Sequence, residues 1–120
     1  MAFSVLEKTT QLYTANFVDE TGVGIPSASL NTLTMTLYDA ITNAAINARS
    51  TQNILNANNV TVSTSGLLTW TMQPNDNAIL NAGLAQELHF ALFQWTWTSG
   101  TSKAGKHQAA FSVVNLANVA

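Results

Sequence analysis

Two runs of strict two-residue alternation constrain this chain more than any other feature. In LNTLTMTLYD, Leu33, Met35 and Leu37 fall on one side, and Thr32, Thr34 and Thr36 on the other. In LLTWTMQ, Leu68, Trp70 and Met72 alternate with Leu67, Thr69 and Thr71. A period of two is the pleat of a β-strand, whereas a helix repeats its apolar face every three to four residues. Threonine on the open side suits a half-exposed sheet, because it is both β-branched and polar. Each run therefore predicts a strand with one apolar face, which needs a second layer to cover it.

Further segments continue the pattern. Residues 10–19 place Tyr13, Ala15 and Phe17 on one face, NNVTVS carries Val60 and Val62, and HQAAFSVVNL alternates Ala109, Phe111 and Val113. The stretch LHFALFQWTWTSG puts Ala91, Phe93, Trp95 and Trp97 on one face, with Gln94, Thr96 and Thr98 on the other. Phe90 and Leu92 point away from Phe93, so both faces are apolar near the start of that strand. TNAAINARS is read as a short extra strand, and residues 51–57 as one helical turn capped by Ser50 or Thr51. Turns fall between these segments: DETGVGIPSAS with Gly22 and Gly24, STSG with Gly66, PNDN with Pro74, and TSGTSKAGK as a longer, polar hairpin loop. Asn75 or Asp76 is expected to cap the PNDN turn. The sum is an all-β chain of about seven antiparallel strands, an immunoglobulin-like or transthyretin-like sandwich. Residues 10–120 form its single domain, and residues 1–9 are either an N-terminal arm or an edge strand.

Composition bears on function more than on fold. Hydrophobic residues make up 47% of the 120, enough for one core, but charged residues only 8%. Ordinary soluble domains carry about 25%. So few charges give weak protection against self-association, which points to a life inside an assembly. The four cations, Lys8, Arg49, Lys103 and Lys106, form no basic patch, so nucleic acid is not an expected partner. No apolar run reaches the length of a membrane span, and no membrane partner is expected. Zero cysteines leave no disulfide framework and fit assembly in a reducing cytoplasm.

Candidate chemistry is sparse. His89 and His107 each lie near the start of a strand, and no His/Asp spacing marks a zinc site. Asp19, Glu20, Asp39 and Asp76 fall at strand ends or in turns, too few together for the six to eight oxygens of calcium. No nucleophile sits beside a base, so the chain is read as a non-enzyme without catalytic, metal or cofactor residues. The aromatics divide. Trp70 and Trp95 are expected in the core, and Trp97, nearest the loop, is the one expected to be exposed.

Two resemblances add to this. Residues 18–39, VDETGVGIPSASLNTLTMTLYD, resemble the D-x-x-G-x-x-I-P-x-A-x-L opening of bacterial and phage Ig-like or transthyretin-like modules, and VTVSTSGLLTWTM resembles their later hairpin. Through QNILNANNVTV, LTWTMQPNDNAIL, HFALFQWTW and GKHQAAFSVVNL, the chain as a whole is similar to short Ig-like structural proteins of tailed-bacteriophage virions. That resemblance implies capsid decoration or a head-to-tail neck or collar component. It also implies many symmetric copies, contacts with capsid, portal or tail proteins, and assembly in the bacterial cytoplasm. Interface candidates are Phe3, Val5 and Leu6 in the N-terminal segment, Phe90 and Leu92 on the off-face, and Trp97, Lys103 and Lys106 toward the hairpin loop. The alternative is a carbohydrate- or host-surface-binding module, with Trp97 and the adjoining loop meeting a host glycan.

Overall fold

The computed structural model describes residues 3–81 and 83–115. Eight strands form: β1 (Phe3–Leu6), β2 (Gln11–Asn16), β3 (Leu30–Asp39), β4 (Gln52–Asn53), β5 (Val60–Val62), β6 (Leu67–Met72), β7 (Gln86–Ser99) and β8 (Thr101–Val114). They make two sheets, a five-stranded one in the order β1-β8-β7-β3-β4 and a three-stranded one in the order β2-β6-β5. All pairings are antiparallel except that β1 runs parallel to β8, with Phe3 opposite Phe111 and Leu6 opposite Val114.

The alternating residues meet where the pattern requires. Leu33, Met35 and Leu37 of β3, Phe93 and Trp95 of β7, and Phe111 and Val113 of β8 face Leu68, Trp70 and Met72 of β6. Trp70 is fully buried and meets Phe93 at 6.1 Å and Phe111 at 6.3 Å, edge to face. This is the T-shaped geometry that aromatic quadrupoles favour. Phe17, just past the end of β2, stacks on Trp95 at 4.3 Å. The Trp95 ring also lies over Gly105, its cross-strand partner, where a Cβ would come within 2.6 Å of the indole. A side chain at position 105 would push that ring off its seat.

Three expectations change. The polar stretch after Trp97 is not a loop: β7 and β8 stay paired as far as Ser99 and Thr101, and the chain reverses at Gly100, with φ of +79°. TNAAINARS forms no strand; it holds a single bridge between Tyr38 and Ala45 and then turns through Asn47 and Ala48 at positive φ. The helical turn at 51–57 is absent as well. Thr51 takes φ of 46°, rare for a β-branched residue, and the two-residue β4 follows it.

This irregular connection is organised by one buried ion pair. Arg49 grips Asp76 with Nε to Oδ1 at 2.5 Å and Nη2 to Oδ2 at 3.0 Å. Its remaining donors go to Gln52 Oε1, the Asn58 carbonyl and Asn59 Oδ1. Asp76 also accepts from Asn47 Nδ2 and from the Gln73 backbone N–H, closing a capping box on the 3-10 turn Pro74–Asn77. The N-cap is thus Gln73 and not Asn75 or Asp76 as the sequence suggests. Asp76 sits at the third position of the turn and reaches back to it, with a buried arginine as an added partner. The guanidinium lies 5.8 Å from the centre of the Trp70 ring.

Removing one partner of a buried pair strands the other charge, which costs about 3–5 kcal/mol. Arg49→Ala is therefore expected to lose about that much stability, read as a lower midpoint in urea denaturation at unchanged slope. A loss below 1 kcal/mol would mean that this pair does not organise the connection.

Candidate interaction surface

Alternation gives β7 two distinct faces. The inner face belongs to the core; among the described residues, no layer covers the outer face. At one end of that face Phe90 lies between Tyr38 and Ala110, and Leu92 between Thr36 and Gln108. The Tyr38 and Phe90 rings meet edge to face at 5.6 Å, and Gln108 Nε2 donates to the Tyr38 hydroxyl at 2.6 Å. Leu6, Ile41 and Leu88 border this end and are substantially exposed. The other end is a polar ladder, with Thr32 bonded to Thr96 and Asn31 to Thr98, each at 2.7 Å. One apolar end on an otherwise hydroxyl-covered sheet is the arrangement of a contact surface with a polar surround.

The eight candidate interface residues separate in the structure. Leu6, Phe90 and Leu92 share the outer face. Val5 is buried in the core, and Phe3 stacks between Tyr13 at 5.6 Å and Phe111 at 5.3 Å. The segment they belong to serves as an edge strand of its own sheet. Trp97 corrects the expectation of exposure: it is 8% exposed, on the inner face opposite Leu30, with the 17–29 connection folded over that end. Lys103 pairs with Glu20 at 2.5 Å, and Lys106 is exposed.

A groove of about 520 Å³ opens between β2 and the free edge of β8, lined by Tyr13, Phe17, Trp95, Lys106 and His107. The Tyr13 hydroxyl and His107 Nε2 close one side of it at 3.0 Å. Burial pushes the Tyr13 phenol pKa up.

A buried polar cluster that sequence reasoning missed lies at the end of β3 and β7. Asp39 lies directly opposite His89, and Glu87 is two residues before His89 on the same face. One ligand-type atom from each lies within 4.8 Å of the others, and all three side chains are buried. Glu87 Oε1 is 2.7 Å from His89 Nε2, and its two oxygens accept the backbone N–H groups of Leu80 and Asn81. Asp39 Oδ2 accepts the Thr42 backbone N–H and hydroxyl. Burial works against ionisation of Asp39, but the Thr42 donors, the Ile41 backbone N–H and the neighbouring His89 together outweigh it and hold its carboxyl below the usual range. Glu87-x-His89 is visible in the sequence as a same-face pair. Asp39 joins it only through the register of β3 on β7, which no local pattern encodes.

Comparison with protein-family models, with curated proteins and with solved structures finds no match.

The two faces of β7 separate in stability. Phe93→Ala, on the inner face, is expected to cost about 3–5 kcal/mol. Leu92→Thr, on the outer face, is expected to cost about 1 kcal/mol or less. Equal losses in chemical denaturation would contradict the placement of Leu92 outside the core.

Proposed function

We propose that this chain is an immunoglobulin-like structural subunit of a tailed-phage particle, present in many copies and bound to other virion proteins through the outer face of its five-stranded sheet. The Ig-like reading is supported by strand order. In the Ig sandwich the third, sixth and seventh strands share one sheet as C-F-G, and the other sheet holds B-E-D. Here β3-β7-β8 and β2-β6-β5 follow those orders, and β4 takes the place of the added C′ strand. Fold alone does not assign a role. The role rests on the resemblance of the chain to phage Ig-like proteins, and one observation carries the mode of contact: the uncovered apolar end at Phe90, Leu92 and Leu88. The low charge of the chain agrees with it.

The glycan-binding alternative needs Trp97 as an open stacking platform, and that ring lies in the core.

Gradient-purified particles from cells expressing the chain with its phage are expected to contain it at a fixed ratio to the major capsid protein, read by quantitative mass spectrometry. A Phe90→Asp, Leu92→Asp double variant is expected to fold, by circular dichroism, and to be missing from the particles. Wild-type chain found only in the soluble fraction would overturn the virion role. Normal incorporation of the double variant would overturn the assignment of the contact face.

A further inference from the structure

We propose that Asp39, Glu87 and His89 hold a divalent transition-metal ion of the zinc class, with Asp39 and His89 as direct ligands and Glu87 orienting the imidazole. Two atoms in this cluster have no hydrogen-bond partner although they are fully enclosed: Asp39 Oδ1 and His89 Nδ1. Every other polar atom of the three side chains is engaged. Glu87 is an acceptor, fixed by two backbone N–H groups, so the proton between it and the ring belongs to His89 Nε2. In neutral imidazole that leaves Nδ1 as a bare lone pair, on a residue directly across the strand pair from the bare oxygen of Asp39.

An enclosed carboxylate oxygen and an enclosed ring nitrogen, neither of them hydrogen-bonded, are both satisfied by one cation bound between them. Among the described residues the paired cationic side chains lie elsewhere, Arg49 on Asp76 and Lys103 on Glu20. Imidazole nitrogen and carboxylate oxygen are donor types that zinc takes, and two protein ligands would leave its other two positions to water. A ligating histidine usually gives its other N–H to a carboxylate, which fixes the tautomer and aims the ring, and Glu87 occupies that position. The spacing fits as well. Zinc holds nitrogen and oxygen ligands at about 2.0–2.2 Å, which in a tetrahedron sets them about 3.4 Å apart. The three side chains each bring one ligand-type atom within 4.8 Å of the others, so the cluster is compact enough for side-chain rotation to close it on an ion.

The bound ion would tie two connections together. Asp39 holds the turn after β3 through Thr42, and Glu87 holds the segment before β7 through Leu80 and Asn81.

The test uses tag-free full-length chain stripped with chelator and titrated with Zn²⁺ in a calorimeter. One ion per chain and a higher melting temperature with added zinc are expected, because an ion that binds only the native state stabilises it. Glu87→Gln is expected to weaken binding by about 10–100-fold, Asp39→Asn and His89→Gln to weaken it further, and His107→Gln to leave it unchanged. Should the cluster variants fail to fold, nitrogen NMR of the native chain decides. Zinc must shift the His89 Nδ1 resonance while Nε2 keeps its proton. No saturable binding by the native chain, or binding that leaves the His89 ring unperturbed, overturns the site.

Discussion

Much of the two-layer arrangement leans on the contact between Arg49 and Asp76. Between β3 and β5 the chain has only the two residues of β4 as strand, and seven of its residues there sit at positive φ. Backbone bonds tie the segment to β3 at Ala44, Ile46, Arg49 and Ile54, and side chains hold the turns between them. Arg49 does this by spending its donors on four residues of the connection and of the turn after β6. A buried pair is costly when half satisfied and specific when complete. Here it is complete, and it joins the connection after β3, in the five-stranded sheet, to the end of β6, in the three-stranded one. It also sets a cation against Trp70, the aromatic around which both sheets pack.

How much of this was legible follows from what encodes each part. β3 and the buried face of β6 could be read from the sequence because alternation is local and their apolar faces are uninterrupted. The inner face of β7 was legible for the same reason. Exposure of Trp97 was not, since it depends on the 17–29 connection returning over that end of the sheet and not on distance from the turn. The extension of β7 and β8 to Gly100 was hidden by composition: Thr, Ser and Gly serve equally well in a loop and on the open face of a strand. The connection between β3 and β5 was illegible in principle, because its path is set by the Arg49 network and by asparagines that accept left-handed backbone.

The candidate sites differ in the same way. Phe90 and Leu92 stand out in the sequence because they break the alternation, giving the strand apolar residues on both faces where one suffices for the core. The polar cluster does not stand out. Asp39 is one of several acidic residues at a strand end, and His89 looks like a lone histidine on an apolar strand. Only the antiparallel register of β3 on β7 sets them face to face.

The few charges also bear on which surface is free to bind. Edge strands invite pairing, and proteins guard them with lysines and inward-pointing charges. β1 covers β8 at Phe111 to Val114, its apolar end, and leaves Thr101 to Ala110 unpaired on that side among the described residues. That free stretch carries Lys103 and Lys106, two of the chain's four cations, together with His107 and Gln108. Lys103 has the inward parity of Gly105 and Ala109, where a charge opposes an added strand most strongly. The outer face at Phe90 and Leu92 has no charged guard: across the strands lie Tyr38 and Ala110 beside Phe90, and Thr36 and Gln108 beside Leu92. A chain so poor in charge that places half of its cations on one edge is protected there against strand addition. The apolar residues it leaves open lie instead at one end of the sheet face.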